Sequence, residues 1–275
     1  MRTALFGSLI GLLFLSGCAS PIRQVDNVHV ANGSVVDRLV FGDYWEAKGL
    51  PAKSQAKSKL AVGSFRVEFV EERITRPDQY NRTQFETLFG DSKDAIAESL
   101  YEMFLAGFDS RGATVIGRDQ VTGASNFARY SRAGGAKAQT LFDTPINVNA
   151  GRIRRIDARS PQGFVSVDPK GSQTESIDAA LAEELGVDAV LHVTIRVGVW
   201  RGRAIIEDGC AIQLYAQDRL MEIRSTRALA SDFTVLENPD GGANVYGQYR
   251  VDSKRFRSAL ERLYPVYISL ASEAL

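Results

Sequence analysis

The sequence predicts an α/β (α+β) protein: a mixed sheet with a C-terminal antiparallel meander, helices packed on it, and one long Arg/Gly-rich insertion. Three observations carry this. Residues 60–70 alternate as a strand, with Val62, Ser64, Arg66 and Glu68 opposite Ala61, Phe65, Val67 and Phe69, and helical spacing follows. Residues 189–235 hold three strand-like runs joined by turns of two or three residues, and such turns join antiparallel neighbours. Between these regions, residues 131–172 break both periods with Gly, Arg, Asn and Pro. Lys+Arg and Asp+Glu number 33 each and there are two Cys, which excludes a disulfide scaffold and a strongly basic nucleic-acid binder.

The N-terminus speaks to location. Arg2 precedes an apolar run from Ala4 to Leu15, the layout of a secretory signal and too short for a stop-transfer helix. The run ends in Leu15-Ser16-Gly17-Cys18, which resembles the bacterial lipobox. That resemblance implies a signal peptide of residues 1–17 and a mature chain whose Cys18 carries fatty acyl chains, palmitate among them. Several chains hold a protein firmly, because each buried methylene contributes about 0.8 kcal/mol. Ala19, rather than Asp, follows the cysteine, and by the same analogy this implies the outer membrane with the domain facing the periplasm. Cys210 then has no intramolecular partner and reads as a buried, inert thiol beside Ile212 and Leu214.

Residues 18–59 read as a lipid anchor and periplasmic tether, with Pro21, Pro51 and a Lys/Ser/Ala run, and short apolar patches able to dock on the domain. A single domain follows over 60–275, with the insertion at about 131–172. After the first strand, Asp91-Ser92 offers a helix N-cap, and Ile96, Leu100, Phe104 and Phe108 share a helical face. Residues 113–116 form a short buried strand, and 119–130 a weakly marked helix. The insertion holds a hairpin around Ile146–Ile156. Ser172-Gln173-Thr174-Glu175 fits a capping box, Ile177, Leu181 and Leu185 form a stripe, and Gly186 stops the helix. The meander strands run over 189–199, 204–217 and 220–235. A last helix from Asp252 carries Phe256, Leu260 and Leu263, and Pro265 is expected to kink or split it.

This order, with the motifs at 60–65, 112–120 and 182–191, resembles the periplasmic α/β domain shared by the TolB N-terminal domain, the curli secretion lipoprotein CsgG and the penicillin-binding-protein activator LpoB. The resemblance spans residues 60–235 without the insertion. It implies binding and assembly without chemistry of the protein's own. Curli-type hairpins build a membrane barrel, whereas Arg152, Arg154 and Arg155 interrupt the apolar positions of this insertion.

The search for chemistry supports a non-enzyme. His29 and His192 have no Cys or carboxylate at metal-ligand spacing, so no metal or other cofactor is expected. No Gly-x-Ser-x-Gly elbow and no phosphate-binding loop is present. His192 faces opposite the apolar set and reads as a partly exposed or polar-layer histidine. Charge is uneven: residues 117–160 hold eight Lys/Arg against three Asp, and 175–188 hold five acids. Arg129, Arg132, Arg152, Arg154, Arg155 and Arg159 are therefore candidates for contact with an anionic partner, since the guanidinium fork binds carboxylate or phosphate bidentately. The resulting reading is a lipid-anchored adaptor of envelope assembly or export, bound to the membrane through Cys18 and to a periplasmic or outer-membrane protein. A homo-oligomeric, CsgG-like secretion subunit is one alternative. A cell-wall hydrolase using loop carboxylates near Glu237–Asp240 is the other. No nucleic-acid partner is expected.

Overall fold

A computed structural model describes residues 59–75, 89, 92–109, 114–132, 139–147, 150–167, 172–200, 202–216, 219–237 and 251–272, with the short strands 25–27 and 45–48. The architecture is the mixed α/β sheet with packed helices that the sequence predicts, and the sheet has eleven strands. Its centre is β3 (Lys59–Thr75) beside β7 (Ala189–Trp200), paired in parallel from Leu60↔Ala189 to Val70↔Gly198. The two short strands β1 (Val25–Asn27) and β2 (Trp45–Lys48) belong to the segment read as tether. Helix α1 (Lys93–Asp109) returns the chain to β4 (Thr114–Val115), parallel to the start of β3.

The weakly marked helix at 119–130 divides into α2 (Arg118–Thr122) and a 3-10 helix (Phe127–Arg132). Gly123, Ser125 and Asn126 interrupt it, all poor helix formers. The insertion supplies β5 (Gln139–Asn147) and β6 (Ala150–Arg159), and β6 lies antiparallel to β3 from Val67↔Arg159 to Thr75↔Gly151. The hairpin is thus part of the main sheet and starts earlier than the sequence pattern indicated. Helix α3 (Ser172–Leu185) leads into β7.

The meander is present, but two of its three strands bend. The second comprises β8 (Arg203–Ile206) and β9 (Ala211–Ala216), the third β10 (Arg219–Ser225) and β11 (Ala228–Thr234). β9 pairs with the first half of β7 and β8 with the second half. β2 runs antiparallel to β10 and β1 parallel to β11, so the putatively free segment before residue 59 contributes two strands to this edge.

Helix α4 (Ser253–Ser272) begins at Asp252, whose Oδ1 accepts from the amides of Lys254 and Arg255, each at 3.0 Å. It runs through Pro265 as one helix instead of splitting. Pro265 is exposed, while Leu263, Tyr264 and Ile268 are buried, so packing holds the helix on both sides of the missing amide.

One sheet face carries Phe65, Val67, Phe69, Leu191, Val193 and Ile195 beneath α1 and α4. The other carries Ala61 and Val190 beneath α2, α3 and the 3-10 helix. Simple alternation would place Ala61 with Phe65 and Val62 with Ser64. The structure does the reverse, because the register shifts between Val62↔Leu191 and Ser64↔His192 and leaves Gly63 as an extra residue. A Cβ at Gly63 would lie 2.6 Å from Val190 Cγ1 and 3.0 Å from Tyr130 Oη. Gly63→Ala is accordingly expected to lower stability by about 1–3 kcal/mol, the range for overpacking, read as a fall in the denaturant midpoint at unchanged slope.

Candidate functional site

The bulge turns Ser64 to the face where α3 and the 3-10 helix pack, and there a buried polar chain forms. Ser64 Oγ lies 2.8 Å from His192 Nδ1, and His192 Nε2 lies 2.9 Å from Asp178 Oδ1 on α3. Tyr130, on the 3-10 helix, donates to the same Asp178 oxygen. The ionised carboxylate only accepts, so it places a ring proton on Nε2; in the neutral ring Nδ1 then accepts from the Ser64 hydroxyl. Burial, then the Asp178 charge and hydrogen bond, push the Tyr130 phenol far above its ordinary range, so it stays a donor.

These are the residue types of a nucleophilic triad, but access decides their use. Ser64 is 2% exposed and His192 1%, and the space beside Gly63 is filled by Val190 and Tyr130. A hydroxyl sealed in this way cannot meet a carbonyl substrate. A groove of about 340 Å³ does exist at the end of α3, lined by Ala179, Ala182, Glu183, Val187 and Tyr215, but none of the four chain members lines it. The polar chain therefore ties three elements to the sheet. His192 is fully buried in it, where the sequence pattern allowed partial exposure.

Two ionic clusters flank the chain. On the α1 face, Lys93 Nζ donates to Glu71 Oε1 at 3.0 Å and Asp157 Oδ2 at 2.8 Å, and lies 5.7 Å from the Phe69 ring centroid. Burial alone would raise the Asp157 carboxyl, but the Lys93 hydrogen bond and charge, with Arg159 and Arg155, hold it below its usual range. On the opposite face Glu68, 5% exposed, takes Arg66 Nη2 on one oxygen and Arg196 Nε on the other, both at 2.6 Å.

Glu184 closes the site from outside. Its carboxylate accepts from the amides of Asn126 at 2.9 Å and Ser125 at 2.7 Å, and these bonds hold its pKa down to about 2. It thereby pins the start of the 3-10 helix to α3.

The sequence-selected residues are distributed as follows. Leu15, Ser16, Gly17, Cys18, His29 and the loop 238–240 lie outside the described residues. Arg129 and Arg132 are exposed on the 3-10 helix, with Arg129 bound to Asn126 Oδ1 at 2.9 Å. Arg152, Arg154, Arg155 and Arg159 are on β6, at register positions opposite Ile74, Glu72, Glu71 and Val67. Arg159 Nη2 meets Asp157 at 3.2 Å. The six arginines thus belong to two elements. The acidic stretch 175–188 is also partly engaged: Asp178 is in the polar chain, Glu184 holds Ser125 and Asn126, and Asp188 accepts from Lys59 N at 2.7 Å. Cys210 is buried and free, its Sγ 3.2 Å from the Glu207 carbonyl oxygen.

Ser64, Asp178 and Tyr130 escaped the sequence reading, because they join His192 only through the bulge and across three elements. Among the described residues, no group of three or more His, Cys, Asp or Glu gathers where a metal could bind, and no helix is long and apolar enough to cross a membrane. Comparison with protein-family models, curated proteins and solved structures returns no match.

Two outcomes follow from this geometry. Asp178→Ala strands the Tyr130 hydroxyl and His192 Nε2 in the interior. At about 1–3 kcal/mol for each orphaned group, it is expected to cost about 2–5 kcal/mol in denaturant unfolding. Glu184 has its folded pKa depressed to about 2 from an ordinary 4.5, so its contribution is present above about 4.5 and disappears as pH falls towards 2. Hydrogen-exchange protection at Ser125 and Asn126 should fall through that window in the wild type, and be low and flat in Glu184→Gln.

Proposed function

We propose that this chain is a lipid-anchored periplasmic adaptor of the outer membrane, which binds a protein partner in envelope assembly or export and performs no chemistry of its own. The observation that carries this reading is Leu15-Ser16-Gly17-Cys18 at the end of an apolar run. The closed polar chain around His192 supports it, because the Ser, His and Asp most suggestive of catalysis serve to hold α3 and the 3-10 helix on the sheet. The resemblance to the TolB, CsgG and LpoB domains stands on the sequence motifs alone and favours the same role.

A second reading is an oligomeric secretion subunit. One observation favours it: β3 continues to Thr75, beyond its last pairing with β7 at Val70, and carries β5 and β6 with it. Secretion subunits of the curli type use strand extensions of this kind. A monomer in detergent at micromolar concentration would dispose of it.

Labelling with palmitate tests the anchor. The wild type should take up label and sediment with membranes, and Cys18→Ser should do neither. Crosslinking in intact envelopes tests the adaptor role. A distinct protein crosslinked to the domain is the expected result, and recovery of this chain alone would overturn the reading.

A further inference from the structure

Gly209 sits in the bend between β8 and β9 with φ +80°, a left-handed conformation suited to glycine. Its amide donates to the Ser225 carbonyl at 3.0 Å, which pins the bend to the end of β10. The missing side chain leaves a notch that two arginines reach from different strands. A Cβ there would lie 2.7 Å from Arg196 Nη1 on β7 and 3.8 Å from Arg224 Nη2 on β10. Arg196 spends its Nε on Glu68, so its Nη1 end is the one turned to the notch.

The charges around the notch do not cancel. Glu68 divides its two oxygens between Arg66 and Arg196, and buried Glu207 is the second carboxylate acting on Arg196. Arg224 is exposed and its guanidinium has no ion pair or hydrogen bond among the described residues. Arg66 Nε is buried without an acceptor. Three guanidiniums therefore face two carboxylates, with unused donors pointing at one place. An anion with two or more oxygens would relieve the repulsion between Arg196 and Arg224 and bond to both forks.

The path of the chain narrows the choice of anion. β1 sets Val25 opposite Ala228, four residues beyond Arg224, and β2 sets Glu46 opposite Arg224 itself. Val25 is seven residues from Cys18, a span of at most about 25 Å at 3.3–3.6 Å per residue. A lipid on Cys18 would hold this end of the sheet close to the bilayer surface. We propose that Arg196 and Arg224, with Arg66 behind them, form a site over Gly209 for the phosphate of an anionic lipid headgroup. The site rests on the anchored reading for its nearness to the membrane, and on the three arginines for its chemistry.

The test uses the full chain carrying Cys18→Ser, so that binding does not depend on acylation and failure of the anchor is scored separately by the palmitate label. Sedimentation with phosphatidylcholine vesicles measures the contribution of the apolar leader. Vesicles containing phosphatidylglycerol should bind more tightly, and the added part should vanish in high salt. Arg224→Gln should weaken that added part about tenfold, as for loss of one charge-assisted contact, while melting like its parent. Arg129→Gln, on the 3-10 helix, should leave it unchanged. Equal binding to both vesicles, or full binding by Arg224→Gln, would overturn the proposal. So would calorimetric binding of inorganic phosphate that is lost in Arg224→Gln and blocks the vesicles, since the free ion would then be the ligand.

Discussion

The fold turns on one extra residue in a parallel pair. At Gly63 the central strand β3 gains a position over β7, and everything beyond it changes face. Below the bulge Val62 points to the α1 and α4 layer; above it Phe65, Val67 and Phe69 do so, with no break in that core. The same step brings Ser64 beside His192 on the other face. Only glycine fits, because Val190, Tyr130 and the imidazole occupy the space a side chain would need. The bulge thus builds the large core and the polar chain at once.

The buried polar groups follow one logic. Each charge taken out of water is matched by a partner from a distant part of the chain: Lys93 with Glu71 and Asp157, Glu68 with Arg66 and Arg196, Asp178 with His192 and Tyr130. Such pairs contribute little net stability compared with apolar packing, but removing one partner leaves the other stranded. They therefore select this arrangement over others of similar hydrophobic content. Glu71 Oε2 and Asp178 Oδ2 lack partners, so the matching is incomplete even in the interior.

The bends in the meander serve a different end. A straight β8–β9 strand would present one continuous edge. The turn through Glu207, Asp208, Gly209 and Cys210 instead splits it, seats Cys210 beneath the backbone of Arg196, and opens the notch between two arginines. The far edge is taken by β1 and β2, which protects it from unwanted strand pairing. The stretch between Cys18 and the domain is thus structural as well as connecting.

Much of the fold was legible in local pattern. The alternation of 189–199 and the stripe of Ile96, Leu100 and Phe104 reflect burial on one side, which any packing of these elements requires. The lipobox is likewise a purely local signal. The broken helix at 123–126, the sheet membership of 139–159 and the continuity of α4 through Pro265 were decided by tertiary contacts, because local propensity there is weak or contrary. His192 was visible in the sequence, but its partners lie 14, 62 and 128 residues away and meet it only in the folded sheet. Sequence alone determined which side chains had to be buried; the tertiary structure decided which polar ones could be buried with them, because that depends on partners brought together from opposite ends of the chain.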